Sequence, residues 1–171
     1  MKSSTSHMIK HRQKPNDVFI TPEDLAKYHI SMIEAEPSDI WFDPFKNTGN
    51  YYNNFPEHKV WCEILSGRDF FEYEGNVDII CSNPPYSILD KVLQKSVDLK
   101  PRVISYLIGI NNLTTRRIEM MENNGYKITK LHLCKVFEWY GMSAIVVWEL
   151  TDKKGLLSYD RIVWRQDKIK D

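Results

Sequence analysis

Ten consecutive residues, Val77-Asp-Ile-Ile-Cys-Ser-Asn-Pro-Pro-Tyr86, restrict this chain more than any other stretch. Val77, Ile79 and Ile80 are β-formers in a short apolar run of the kind that fills an interior strand of a parallel sheet. Asn83 follows at the strand's carboxyl end. Pro84 and Pro85 then fix φ and withhold two backbone N–H groups, so the ladder stops there, and Tyr86 closes the turn. In open α/β sheets ligands bind outside the carboxyl ends of the strands, where such a turn gathers an amide, a free carbonyl and an aromatic face.

The length of 171 residues suits one domain with a full sheet-and-helix core. No apolar run approaches the roughly 20 residues that cross a bilayer, and no signal or transit sequence opens the chain, so a soluble protein kept inside a cell, without a membrane partner, is expected. Cys62, Cys81 and Cys134 are odd in number, widely spaced and set among strand formers, which predicts buried thiols rather than disulfides or a zinc site; no metal is expected. Lys+Arg and Asp+Glu are both 23, so overall charge makes no case for nucleic acid. Lys2, Lys10, Arg12 and Lys14 precede the first acid, Asp17. Residues 1–16 therefore read as a flexible basic arm, either a solvated tail or a phosphate contact, ahead of one domain over 17–171.

Along that domain, Thr21-Pro22-Glu23-Asp24 opens a helix, with Thr21 expected as N-cap and Pro22 at the first position. Ile40-Trp41-Phe42 reads as the first central strand and leads into the turn Asp43-Pro44-Phe45-Lys46-Asn47-Thr48-Gly49, where Asn47 tolerates a positive φ. Val60 to Glu63 reads as a second strand ending in an acid. Glu63 lies 20 residues after Asp43, the spacing at which an acid accepts ribose hydroxyls in nucleotide-binding folds; a surface glutamate at a strand end is the other reading. Ile88, Leu89, Val92 and Leu93 recur at helical spacing, and Arg102 to Ile108 is another buried strand. Thr114 and Thr115 begin a capped helix whose Arg116 and Arg117 either grip a phosphate or stay exposed, and Gly125 ends it. Lys127 to Phe137 and Ser143 to Leu150 read as paired strands around an aromatic tip, Glu138 to Met142, and Tyr159 to Arg165 as a short edge strand.

Asn83-Pro-Pro-Tyr86 after a hydrophobic strand resembles motif IV of the S-adenosylmethionine-dependent amino-methyltransferases, which methylate exocyclic amines of nucleobases and some amide nitrogens; a structural double-proline turn is the other reading of the bare tetrapeptide. The Phe19–Pro22 stretch is similar to the aromatic-x-Thr-Pro segment that covers the cofactor in adenine methyltransferases. Asp43 to Gly49 is similar to motif I, although Lys46 and Asn47 replace its small residue and first glycine, and Gly67 to Phe71 resembles motif III. The order Phe19/Thr21, Asp43, Glu63, Asp69, Asn83 is that of the adenine-N6 enzymes. The resemblance implies an α/β, Rossmann-like class I methyltransferase domain with a mostly parallel central sheet and a C-terminal antiparallel hairpin. It implies S-adenosylmethionine held by Phe19, Thr21, Asp43, Pro44, Phe45, Asn47, Thr48, Gly49, Glu63, Asp69, Phe70 and Asn83. Asn83, Pro84, Pro85 and Tyr86 would be catalytic, and Tyr86, Arg116, Arg117, Trp139 and Tyr140 would meet the substrate. The implied reaction is methyl transfer to the N6 amine of adenine in nucleic acid, DNA first.

Other substrates stay open: an RNA adenine, or a protein glutamine amide as in the release-factor glutamine methyltransferases, which carry the same tetrapeptide. A non-catalytic nucleic-acid- or partner-binding module is the reading of a different class, and Lys46-Asn47 motivates it. No target-recognition domain is expected after the core, so target choice would be weak, lent by a partner subunit or a second copy, or confined to the 111–117 and 138–142 loops.

Overall fold

The computed structural model describes residues 19–136 and 141–163. Among them are six strands, β1 (Trp41–Asp43), β2 (Lys59–Trp61), β3 (Ile79–Ser82), β4 (Val103–Gly109), β5 (Tyr126–Cys134) and β6 (Ser143–Leu150), in one sheet of order β2-β1-β3-β4-β6-β5. The first four run parallel, and β6 lies antiparallel between β4 and β5. This is the expected α/β architecture, with a C-terminal antiparallel pair where the 127–137 and 143–150 strands were predicted.

Three helices cover the sheet among the described residues: α1 (Glu23–Ser31), α2 (Leu89–Asp98) and α3 (Thr115–Asn123). α2 buries Leu89, Val92, Leu93, Ser96 and Val97, an apolar stripe at helical spacing. Covered on both faces, β3 and β4 are buried at every position. Successive side chains of a strand point to opposite faces. Ile80 and Ile104 accordingly pack with α2 and α3 in one core, while Ile79 and Val103 pack with Ala26 of α1 and with Tyr51 and Phe55 in the other. Cys62 and Cys81 are buried, Cys134 is half-buried, and all three are free thiols.

The connections around β2 are short. A single-turn 3₁₀ segment (Tyr52–Asn54) precedes it, and two more (Ile64–Ser66 and Phe70–Glu72) lead from it to β3, so β2 ends the sheet. The expected edge strand over Tyr159 to Arg165 does not form within its described part, residues 159–163, which is irregular. That segment follows α3 instead: Tyr159 Oη donates to Glu122 Oε2 at 3.3 Å and Arg161 Nη1 to Glu119 Oε2 at 2.9 Å. Among the described residues no helix is long and apolar enough to cross a membrane.

Candidate active site

Because β1 and β3 are parallel neighbours, their carboxyl ends deliver Asp43 and Ser82 together. Ser82 Oγ donates to Asp43 Oδ1 at 2.6 Å, and the Phe45 backbone N–H donates to the same oxygen at 3.2 Å. Asp43 is fully buried, and its Oδ2 has no partner within hydrogen-bonding distance and angle among the described residues. Burial raises its carboxyl to about 6, against the pull of the Ser82 hydroxyl and of the Phe45 and Tyr52 backbone N–H groups. The turn after β1 passes through positive φ twice, at Asn47 (+49°) and Gly49 (+95°). Asn47 thus adopts the left-handed conformation in place of glycine. A Cβ at Gly49 would meet the exposed Asn53 side-chain amide, which can move, so the positive φ is what calls for glycine there. Pro44 is buried, Phe45 half-buried and Thr48 exposed.

Asn83 is the next residue after β3. Its Nδ2 donates to Thr21 Oγ1 at 3.2 Å, while the Thr21 carbonyl accepts from Asn50 Nδ2 at 2.7 Å. Thr21 is therefore buried and faces the site. It does not cap α1, whose N-cap is Pro22 with no side-chain cap bond. The hydroxyl that capping would use is spent on Asn83, and the chain leading into α1 is tied across the carboxyl edge. With its nitrogen engaged, Asn83 has Oδ1 left to accept. Pro84 is buried, and among the described residues its carbonyl takes no hydrogen bond. Pro85 is exposed and heads a short 3₁₀ turn, Tyr86–Ile88. Tyr86 is half-buried, its hydroxyl donating to the Leu107 carbonyl of β4 at 3.4 Å. Phe19 is 38 % exposed.

On the β2 side, the Glu63 carboxylate accepts the Asn47 N–H at 2.9 Å through Oε2 and the Leu65 N–H at 3.2 Å through Oε1. It thereby joins the two turns, and each oxygen keeps acceptor capacity. Asp69 Oδ1 accepts the Phe71 N–H at 2.9 Å. Phe70, expected to flank a ligand ring, is 3 % exposed and packs in the core, 5.3 Å from Phe45 and 5.8 Å from Phe42 between ring centroids. The exposed ring is Phe71, one residue on. Ile64 and Leu65, 69 % and 87 % exposed, add apolar surface beside Glu63. Sequence reasoning missed them, and the signal was a pair of aliphatic residues directly after a strand-ending acid.

Arg116 and Arg117 are not free cations. Arg117 Nε bonds Asp90 Oδ1 at 2.7 Å and Arg116 Nη2 bonds Asp90 Oδ2 at 2.5 Å, and these bonds hold the Asp90 carboxyl below its usual range. Trp139 and Tyr140 lie outside the described residues. Leu133, Cys134, Lys135, Gly141 and Met142 line an open depression of about 350 Å³. A buried histidine also escaped the sequence reading. His29 Nδ1 pairs with Tyr51 Oη at 2.9 Å and Nε2 with Ser105 Oγ at 2.7 Å, and burial pushes its pKa down to about 3.

No family model matches this sequence, and no curated protein matches it. Solved structures do. A protein described as the modification subunit of a type I restriction enzyme, from Vibrio vulnificus YJ016, is similar over 85 % of this chain and 48 % of its own, at 13 % identity and a TM-score of 0.57. One chain of the E. cuniculi Mtq2–Trm112 complex, responsible for methylation of the eRF1 translation termination factor, is similar over 80 % of this chain and 99 % of its own, at 15 % identity and a TM-score of 0.56. Magnesium protoporphyrin IX methyltransferase from Synechocystis PCC 6803, solved with bound SAM, is similar over 86 % and 92 %, at 8 % identity and a TM-score of 0.55. The chain has the methyltransferase fold. Within that methyltransferase fold, Asp43, Gly49, Glu63 and Asn83 stand around one sheet edge, joined through Ser82, Asn47 and Thr21.

Proposed function

We propose that this chain transfers a methyl group from S-adenosylmethionine to the exocyclic N6 amine of adenine in nucleic acid, DNA first. The observation that carries the proposal is a pair of acceptors following β3. Thr21 occupies the Asn83 amide nitrogen, which leaves Oδ1 and the neighbouring Pro84 carbonyl to take two N–H bonds. The residues at this edge suit the cofactor. Asp43 places a buried carboxylate at the end of β1, an acceptor of the kind a ligand ammonium requires; the Asn47–Gly49 turn lets a ligand approach the backbone; Glu63 retains lone pairs for ribose hydroxyls.

When bound, S-adenosylmethionine supplies an electrophilic methyl on a sulfonium. The adenine amine is a poor nucleophile, because its lone pair is delocalised into the ring. Accepting its two N–H bonds at Asn83 Oδ1 and Pro84 O makes the nitrogen more tetrahedral and turns the lone pair out of the ring plane. Alignment then supplies much of the acceleration, and the product sheds one proton to solvent. Tyr86 offers its ring as a stacking surface for the base, an interaction of roughly 1–3 kcal/mol in other systems. The base has to leave the duplex stack or come from a single strand.

The Asp-Pro-Phe sequence of motif I and the likeness to a restriction-modification subunit support DNA. The likeness to Mtq2–Trm112 favours a second reading, a protein glutamine amide, which presents the same pair of N–H donors. Target recognition by a partner subunit or second copy belongs to either reading. Labelled-methyl transfer to duplex DNA, single-stranded DNA, RNA and protein, run in parallel and followed by nucleoside digestion, is the test. Label in N6-methyladenine is expected. Label confined to glutamine would replace it with the second reading, and transfer to none of the four would overturn both.

A further inference from the structure

Lys46 stands where motif I has a small residue, and its ammonium lies 4.2 Å from the Trp61 ring centroid and 5.1 Å from that of Tyr52. The Arg68 guanidinium lies 4.1 Å from the same Trp61 ring, and the Lys59 ammonium 4.8 Å from the Tyr52 ring. The two rings meet edge to face at 6.4 Å. Three cations thus gather on two aromatic rings along β2, the strand that ends the sheet. An aromatic face attracts a cation through its quadrupole without cancelling the charge, whereas a carboxylate would neutralise it. None of the three is in an ion pair among the described residues. Arg68 is the one described arginine so placed, since Arg102, Arg116, Arg117 and Arg161 each have a carboxylate. The acids that flank Arg68 in sequence, Glu63 and Asp69, are turned to backbone N–H groups.

We propose that this edge of the sheet binds the phosphate backbone of nucleic acid, outside the catalytic cleft and without need of the cofactor. Phosphates relieve the mutual repulsion of the three cations, and the planar fork of Arg68 matches two phosphate oxygens at once. The arrangement also gives a reason for the departure from motif I: a small residue at position 46 would remove one of the three charges. An acidic peptide is the competing ligand, but it has a lower charge density than a phosphate backbone and gains less from the flanking rings.

Anisotropy of labelled single-stranded and duplex oligonucleotides, titrated without cofactor over a range of salt, tests the proposal on the full chain. The triple variant Lys46→Gln, Lys59→Gln, Arg68→Gln should bind at least about tenfold more weakly at low salt, and its log–log salt slope should be shallower by about 2. Lys27→Gln with Arg161→Gln, which removes two ion-paired charges elsewhere, should leave the slope unchanged. Photocrosslinking of the unaltered protein to a bromouracil oligonucleotide is independent of how the variants fold, and crosslinks between Tyr52 and Arg68 are expected. An unchanged slope, crosslinks confined to other segments, or stronger competition by polyglutamate than by unlabelled oligonucleotide would each overturn the proposal. Since no methyl donor is present, failure here and failure of the methyl-transfer reading are separate results.

Discussion

Asn83 shows how one side chain can be committed at one end and available at the other. Its nitrogen is anchored to Thr21, so the role of its oxygen can be tested by chemistry rather than by loss of bulk. Asn83→Ala should lower kcat about a hundredfold or more while changing ligand affinity little, because the amine lone pair is oriented chiefly as the transition state forms. Asn83→Asp keeps an acceptor and should retain more activity than the alanine variant in single-turnover assays. Equal rates for all three proteins would make the turn merely structural. A second residue-scale expectation concerns pH. Asp43 goes from its ordinary value of 3.8 to about 6 on folding, so between those values the folded chain binds more protons and stability falls as pH rises. His29 goes from 6.5 to about 3, so between those values the unfolded chain binds more protons and stability falls as pH drops. Across pH 4 to 6 the two slopes oppose, each at most about 1.4 kcal/mol per pH unit. Denaturant unfolding of His29→Gln should therefore show stability declining towards pH 6 relative to wild type, and Asp43→Asn should show it declining towards pH 4. Parallel pH profiles for wild type and both variants would refute this account of the two buried groups.

At the scale of elements, the segment leading into α1 carries the test of how the site is held. Thr21→Val removes the hydroxyl but keeps the shape, and it should cost about 1 kcal/mol of stability together with a larger fall in kcat than in substrate affinity. Thr21→Ser should restore much of the rate, and a Val variant with unchanged kcat would show that Asn83 needs no anchor. This element also marks the limit of what sequence made legible. β3, β4 and β6 were readable as continuous apolar runs, α2 from apolar residues at helical spacing and α3 from its capped start, with Pro84, Thr114 and Gly125 marking ends. Asn47 was readable because asparagine tolerates the left-handed turn. Thr21 was misread because a threonine before proline looks like a cap whether its hydroxyl points at the helix or away from it. Phe70 was misread because Phe70-Phe71 does not tell which ring enters the core. The Tyr159 segment looked like a strand because Tyr159, Ile162, Val163 and Trp164 are strand formers, yet its polar groups reach α3. The bond from His29 to Ser105 and the gathering of Lys46, Lys59 and Arg68 on two rings depend on tertiary register, which local pattern does not encode.

For the molecule as a whole, a ligand that satisfies Asp43 and Glu63 at once bridges β1 and the turns after β1 and β2, so it should stabilise the entire domain. With S-adenosylmethionine or S-adenosylhomocysteine at a hundred times the dissociation constant, the gain is about 2.7 kcal/mol, read as a thermal shift. Glu63→Ala should shrink that shift, and absence of any shift at millimolar ligand would remove the cofactor reading. The sheet order has a further consequence for how the chain is made. β6 lies between β4 and β5, pairing with β4 from Val103 through Gly109. A ribosome releasing the chain from its amino terminus completes β4 and β5 before β6 exists. Until residue 150 emerges, one side of a strand that ends up wholly buried has no neighbour, which is an opening for a chaperone or for mispairing with another nascent chain. Stalled nascent chains ending before Ser143 should be cut rapidly by protease, and chains extended past Leu150 should resist, so the strand made after both of its neighbours is the one that locks the domain.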